Sequence, residues 1–183
     1  SHWLGYPYLY DTNNSNGKYY NNGSGWIGEI FSGTLDGNGY KISGMFSLEG
    51  GLFSDITDAT IKDLQLDNVS IVSSNDSGLL GHSLSGSSVI SNIYISNSNA
   101  INNADSGALF GSIYGGTIKN IHVKTGAFYS QGFVGGIAGN VINPESNITI
   151  SNVFIDDTLV YSSNGGVPGQ IIGNVQIDPG LTN

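Results

Sequence analysis

The sequence predicts an all-β chain folded as a parallel β-solenoid of about five or six coils. Three observations support this: a repeated motif, the spacing of its apolar residues, and the lack of helical periodicity. Segments of the form apolar-x-x-apolar-x-apolar begin at Ile61, Ile90, Ile118 and Ile150. A fixed period of about 28 to 32 residues is typical of a repeat architecture. None of the apolar runs has the length or spacing of an amphipathic helix.

A glycine-containing motif precedes the first motif in each repeat. Its copies are Gly51–Ser54, Gly78–Gly81, Ala108–Gly111 and Gly132–Gly135, with a weaker fifth copy at Gly165–Ile171. Short apolar runs bounded by Gly, Ser and Asn indicate β-strands. The glycines that end these runs, such as Gly81, Gly111 and Gly135, are predicted to permit sharp turns or a positive φ.

The apolar spacing within each repeat requires a bend. In a straight strand Ile61 would face away from Leu64 and Leu66, because alternate side chains share a face. A bend at Lys62–Asp63 turns all three inward. Equivalent residues of stacked coils then lie above one another, and polar residues form a column at the corner. Stacked Asn side chains can hydrogen bond between layers, so we predict a structural corner ladder of Asp63, Asn92, Asn120 and Asn152.

We expect a single domain in two parts. Residues 1–30 lack the repeat and form an aromatic-rich N-terminal cap, and residues 31–183 form the solenoid. Large aromatic side chains can cover the open end of an apolar core, or they can contact a glycan or a partner protein. Both roles stay open for the aromatic residues of the cap: Trp3, Tyr6, Tyr8, Tyr10, Tyr19, Tyr20 and Trp26.

Composition excludes several functional classes. The chain has five Lys and Arg residues in total, a net charge of −9 and no Cys. Without a basic patch, binding to nucleic acid or to an anionic membrane is not expected. No apolar run is long enough for membrane insertion as a helix. The chain starts at Ser1 rather than Met, and we interpret it as a mature or excised fragment of a secreted or cell-surface protein.

The motifs resemble the GLUG-type repeats of bacterial surface proteins. The similar segments are Phe31–Gly44, Gly51–Ser54, Ala108–Gly111 and Ile118–Ile121, and the resemblance extends over about residues 31–177. Such repeats occur in large secreted adhesin-like proteins and beside the zinc peptidase domain of IgA-cleaving streptococcal proteases. The resemblance implies a right-handed β-helix or a related β-solenoid, whose repeats carry no recognised catalytic residues. The His-Glu-x-x-His signature of that peptidase is absent from this sequence.

Catalytic alternatives have little support in the sequence. Glycan-cleaving β-helix enzymes need converging carboxylates or a basic residue. Asp156 and Asp157 are adjacent, so we expect them to face opposite sides of a strand. The histidines His2, His82 and His122 are far apart, without the spacing of a zinc site or a catalytic triad.

A structural calcium ion remains an alternative at two places. One is the Asp36–Gly39 turn, and the other is a site shared by Asp55 and Asp58. The flanking signature of an EF-hand loop is missing, and Asn-Gly is itself a turn signal. We therefore predict no cofactor.

We predict a non-catalytic extracellular surface module, either an adhesin repeat domain or a structural subunit of a surface fibre. The alternatives are a carbohydrate-binding module and a glycan-active β-helix enzyme. The expected partners are a glycan or a host or surface protein. Self-association is a further expectation, because open coil ends present unpaired strand edges.

Overall fold

The chain forms a parallel β-solenoid of about four turns, which confirms the predicted fold class with one or two turns fewer than expected. The computed structural model describes residues 30–48, 50–142, 147–163 and 168–176. Within these ranges the regular structure is all β, and no helix long and apolar enough to cross a membrane is found there. The predicted N-terminal cap lies outside the described residues, apart from Ile30.

Fifteen strands build the solenoid. In chain order they are β1 (Thr34–Asp36), β2 (Lys41–Ser43), β3 (Phe46–Ser47), β4 (Asp55–Thr57), β5 (Thr60–Asp67), β6 (Ser70–Ser73), β7 (Gly81–Ser85), β8 (Val89–Asn102), β9 (Ser106–Gly107), β10 (Phe110–Ile113), β11 (Gly116–Ser130), β12 (Val134–Gly135), β13 (Ala138–Ile142), β14 (Ile148–Ser162) and β15 (Ile172–Gln176).

The strands stack into three parallel sheets. The largest sheet has the order β1-β5-β8-β11-β14; in addition, β2 pairs with β5, and β6 pairs with β3 and β8. The second has the order β15-β13-β10-β7-β4. The third consists of β9 and β12 and is continued by single bridges between Ser77 and Ser106 and between Gly135 and Gly169. The turns from Ser77 onward contribute to all three faces of the solenoid.

The predicted interior columns are present. Leu64, Ile93, Ile121 and Val153 are successive register partners, and the columns that start at Ile61 and Leu66 run parallel to them. Leu64, Ile93 and Ile121 are at most 3% exposed. Because one turn alone cannot bury its apolar face, stacking supplies the core.

Residues with a positive φ form the corners of the long strands. The first corner is the column of Asp63, Asn92, Asn120 and Asn152, with φ between 51° and 56°. The second is the column of Asn68, Asn97, Thr125 and Asp157, with φ between 45° and 57°. Asn and Asp tolerate this left-handed conformation better than other non-glycine residues. The bend at the first corner explains how apolar residues that are spaced three and then two positions apart can all point into the core.

The glycines that end the second motif act differently from our prediction. None of Gly81, Gly111 and Gly135 has a positive φ. A Cβ atom added to Gly111 would lie 2.6 Å from the Ser77 amide nitrogen, and one at Gly135 would lie 2.2 Å from the Ala138 carbonyl oxygen. These glycines are needed because backbone segments approach closely there.

Candidate functional surfaces

The seven aromatic residues predicted as a contact surface are Trp3, Tyr6, Tyr8, Tyr10, Tyr19, Tyr20 and Trp26. All of them lie outside the described residues. Their role as cap or as binding surface stays a prediction.

The corner residues form a ladder of side-chain hydrogen bonds. Asn92 donates its Nδ2 to Asp63 Oδ1 at 2.7 Å, Asn120 donates to Asn92 Oδ1 at 2.8 Å, and Asn152 donates to Asn120 Oδ1 at 3.0 Å. Each Asn donates to the rung on its N-terminal side, and Asn92 and Asn120 also accept from the rung on their C-terminal side. The ladder begins at a carboxylate, which accepts hydrogen bonds and donates none when ionised.

A surface groove of about 590 Å³ lies beside the first two rungs of this ladder. Its lining includes Asp36, Lys62, Gln65 and Tyr94. Lys62 Nζ lies 2.8 Å from Asp36 Oδ2, and this ion pair raises the pKa of Lys62 and lowers that of Asp36. The groove therefore combines charged, amide and aromatic groups, although the ion pair already occupies part of its polar surface.

The residues considered for calcium are bonded elsewhere. Asp36 pairs with Lys62 and accepts the Asn38 backbone amide at 2.9 Å. Asp55 accepts the Ser83 hydroxyl, and Asp58 accepts the Ser87 amide at 2.9 Å. Among the residues that the structure describes, no group of three or more His, Cys, Asp or Glu side chains is arranged to hold a metal ion.

His122 is the centre of an exposed row on the largest sheet. Its Nε2 lies 2.8 Å from Asp156 Oδ2, and its ring contacts Tyr94 edge-on at 5.2 Å and Phe154 at 6.3 Å. His82 is half-buried in a different sheet, and His2 lies outside the described residues. The structure does not bring His82 and His122 together in one sheet.

Asp156 and Asp157 are both exposed, contrary to our expectation that they face opposite sides of the strand. The reason is the second corner. Asp157 has a φ of 45°, so strand alternation does not apply there. Asp156 contacts His122, as described above.

A second outward row contains the exposed Tyr161. Val72, Ile101, Tyr129 and Tyr161 are successive register partners on neighbouring turns. The rings of Tyr129 and Tyr161 stack on each other, with centroids 5.7 Å apart and an interplanar angle of 21°. The stacking covers one face of each ring, and this reduces the area available for a sugar to stack upon.

Sequence reasoning missed a second ladder. Asn140 donates its Nδ2 to Asp105 Oδ2 at 3.2 Å, and Asn174 donates to Asn140 Oδ1 at 3.1 Å. Asp105 also accepts the Phe133 backbone amide, and Asp76 accepts the Asp105 amide, both through Oδ1. Burial raises the pKa of Asp105, and the neighbouring Asp76 adds to this effect. A signal was present: Asp-Ser-Gly occurs at Asp76 and again at Asp105.

Parallel turns stacked in register define this chain as a β-solenoid repeat module. Its residues 11–97 match the family described as the M26 IgA1-specific metallo-endopeptidase N-terminal region. The similar curated proteins include Immunoglobulin A1 protease of Streptococcus pneumoniae, 27% identical over 83% of this chain and 8% of the relative. The protein of the same name from serotype 4 is 25% identical over 82% and 8%.

The chain spans about 8% of the length of these curated relatives. No solved structure gives a significant match. The similarity thus concerns a small part of these bacterial proteins.

Proposed function

We propose that this chain is a non-catalytic structural module of an extracellular bacterial surface protein, of the GLUG-repeat kind found in adhesin-like proteins. Its role is to form a stiff segment. The backbone hydrogen-bond ladders and the Ile/Leu/Val core of this segment hold the regions connected to it at a fixed separation. The similarity to the N-terminal region of IgA1 proteases supports an extracellular setting.

One observation carries the proposal: polar side chains form hydrogen bonds between successive turns. The two ladders built on Asp63 and Asp105 join successive layers through side-chain amides. Catalytic sites instead gather titratable groups around a concave surface. Hydrogen bonds that join layers stiffen the solenoid along its axis, as a structural segment requires.

Cleavage assays test the non-catalytic role. The purified chain is incubated with human IgA1 and, separately, with a panel of bacterial and host polysaccharides. We expect no new peptide fragments and no increase in reducing ends. Turnover of either substrate that disappears in a variant of Asp156 or Asp105 would overturn the proposal in favour of an enzyme.

A carbohydrate-binding module is the second candidate. The groove beside the first ladder supports it, because Tyr94 lies there with Asp63, Gln65 and Asn92. Planar polar side chains next to an aromatic ring suit a sugar, with hydrogen bonds to its hydroxyls and stacking on its apolar face. A glycan array measures this directly. Binding that Tyr94→Ala abolishes and Tyr129→Ala leaves intact would establish the groove as the site.

Assembly into a fibre is a further form of the structural role. Electron microscopy of the purified chain at increasing concentration distinguishes a filament subunit from a single segment. An adhesin segment is expected to remain unassembled under these conditions.

A further inference from the structure

We propose that the C-terminal end of the solenoid is a specific docking surface for one further coil of the same repeat type, with Asn at its first corner. The coil adds to β14 by parallel pairing in the register of the existing turns. This inference deepens the structural role proposed above and rests on it.

The inward side chains of β14 lack the cover that the previous turns have. Ile118, Ile121 and Val123 of β11 are at most 1% exposed. Their register partners Ile150, Val153 and Ile155 are only partly buried. The open space beside them, about 540 Å³, is lined by Val153, Ile155 and Val160 among others. A further layer would bury these apolar side chains, which is the main favourable term in strand stacking.

The residues that follow β15 are too few to form that layer. β14 has 15 residues, whereas seven residues, 177–183, follow β15. At about 3.3 Å per residue, seven residues cover less than half of the strand. A full further coil therefore needs more residues than these seven.

The edge of β14 lacks most of the usual protection against pairing, and Asp156 and Asp157 are the only charged residues in the strand. Natural edge strands are kept short or carry Lys or Pro. β14 is long and contains neither residue. At the other end of the stack, β1, β2 and β3 have three, three and two residues. The two ends of the described solenoid thus differ, and the C-terminal end is the one suited to accept a strand.

The ladders specify the polar residue that the next coil must carry. Each Asn of the ladders donates a hydrogen bond to the preceding rung on the N-terminal side. The last rungs, Asn152 and Asn174, therefore have Oδ1 atoms that accept no hydrogen bond within the described ranges. A neutral amide at the corner of the next coil supplies that donor. An Asp at the same place would set two acceptors against each other. The positive φ of this corner favours Asn for the same position.

A second copy of this chain fits the surface poorly. Two copies joined tail to tail would pair their β14 strands antiparallel, so the parallel register of the existing turns would not continue. A head-to-tail copy would offer the short strands of its first turn. The net charge of −9 adds repulsion between copies.

The test extends the full chain at its C-terminus with a second copy of residues 117–131. Seven residues, 177–183, then link β15 to the added strand, and five residues, 143–147, make the equivalent link from β13 to β14. Hydrogen exchange of the β14 amides is the measurement. We expect exchange at least about tenfold slower than in the unextended chain.

Two matched extensions serve as controls. In the first, the residues copied from Ile118, Ile121 and Val123 become Ser, and we expect the protection to be lost. In the second, the copied Asn120 becomes Asp, and we expect about twofold less protection, the value of one exposed hydrogen bond. Unchanged exchange with the native copy, or equal protection by the serine copy, overturns the inference.

Size-exclusion chromatography with light scattering on the unextended chain completes the test. A dimer that protects β14 would show that a second copy is the occupant, and this also overturns the inference. The cleavage assays above use the unextended chain. A chain that cleaves nothing and accepts no coil therefore refutes only the docking surface, and the structural role stands.

Discussion

Replacing Asn120 by Ala is expected to destabilise the solenoid by about 2 kcal/mol. The side chain donates one hydrogen bond, to Asn92, and accepts another, from Asn152. Both bonds are exposed, so each contributes near the low end of the usual range, about 0.5 kcal/mol. Asn120 also has a φ of 56°, where an alanine Cβ costs about 1 kcal/mol more than asparagine. The two contributions are similar, and they can be separated.

Two further substitutions of Asn120 separate them. Asp keeps the tolerance for a positive φ and the bond from Asn152, and it loses the bond to Asn92. It should therefore cost about 0.5 to 1 kcal/mol. Gly removes both bonds and the steric strain but raises the entropy of the unfolded chain, which places it between Asp and Ala.

Urea unfolding followed by circular dichroism measures all three variants. For a typical slope of about 2 kcal/mol per molar, Ala lowers the unfolding midpoint by about 1 M with the slope unchanged. The expected order of destabilisation is Ala, Gly, Asp. If Ala differs from the unmodified chain by less than about 0.3 kcal/mol, or if Asp is the most harmful, the ladder does not stabilise the fold as argued.

Three other expectations follow from single residues. Thr125 is β-branched at a φ of 57°, so Thr125→Asn should raise the free energy of unfolding by about 1 kcal/mol. Thr117→Asn, in an ordinary strand position, should not, and equal effects would count against strain at this corner. Gly111→Ala should cost more than about 2 kcal/mol, because its Cβ would lie 2.6 Å from the Asp76 Cβ; a thermal melt within 2 °C of the unmodified chain would contradict this. Burial raises the pKa of Asp105 in the fold, so the folded chain binds its proton more readily than the unfolded chain does. The stability advantage of the unmodified chain over Asp105→Asn should therefore increase as pH falls from 7 toward 4, and a difference independent of pH would refute this.

The sequence predicted the stacking because its signal is periodic. In each repeat the inward residues are spaced three and then two positions apart. This constant spacing places Leu64 in register with Ile93 and Ile121. The number of coils was overestimated because short, irregular segments were counted as coils. The segment before Met45 supplies only β1 and β2, which both pair with β5.

Features that change residue type from turn to turn escaped prediction. In the second ladder Asp105 is not the register partner of Asn140, whose partner on the preceding turn is Ser112, so no single repeated position marks this ladder. The second corner changes from Asn97 to Thr125 and Asp157, and its members share only a positive φ, which is a property of the backbone. The glycines were assigned the wrong role for a related reason. The sequence shows a missing side chain, and only the stacked neighbour shows whether close approach or an unusual φ requires it.

The placement of Asp and Asn gives each ladder a direction. An Asn side chain donates through its nitrogen and accepts through its oxygen, whereas an ionised Asp only accepts. Asp can therefore occupy the first rung, because no earlier rung has to accept a hydrogen bond from it. On any later rung an ionised Asp would interrupt the ladder, because it has no hydrogen to donate. Asp63 and Asp105 both stand first, and amides follow them in chain order. The long edge of β14 lies at the same end as the last amide oxygens of the ladders, which accept no hydrogen bond within the described residues. The ladders and the apolar side chains of β14 therefore both indicate that a further coil would add at this end.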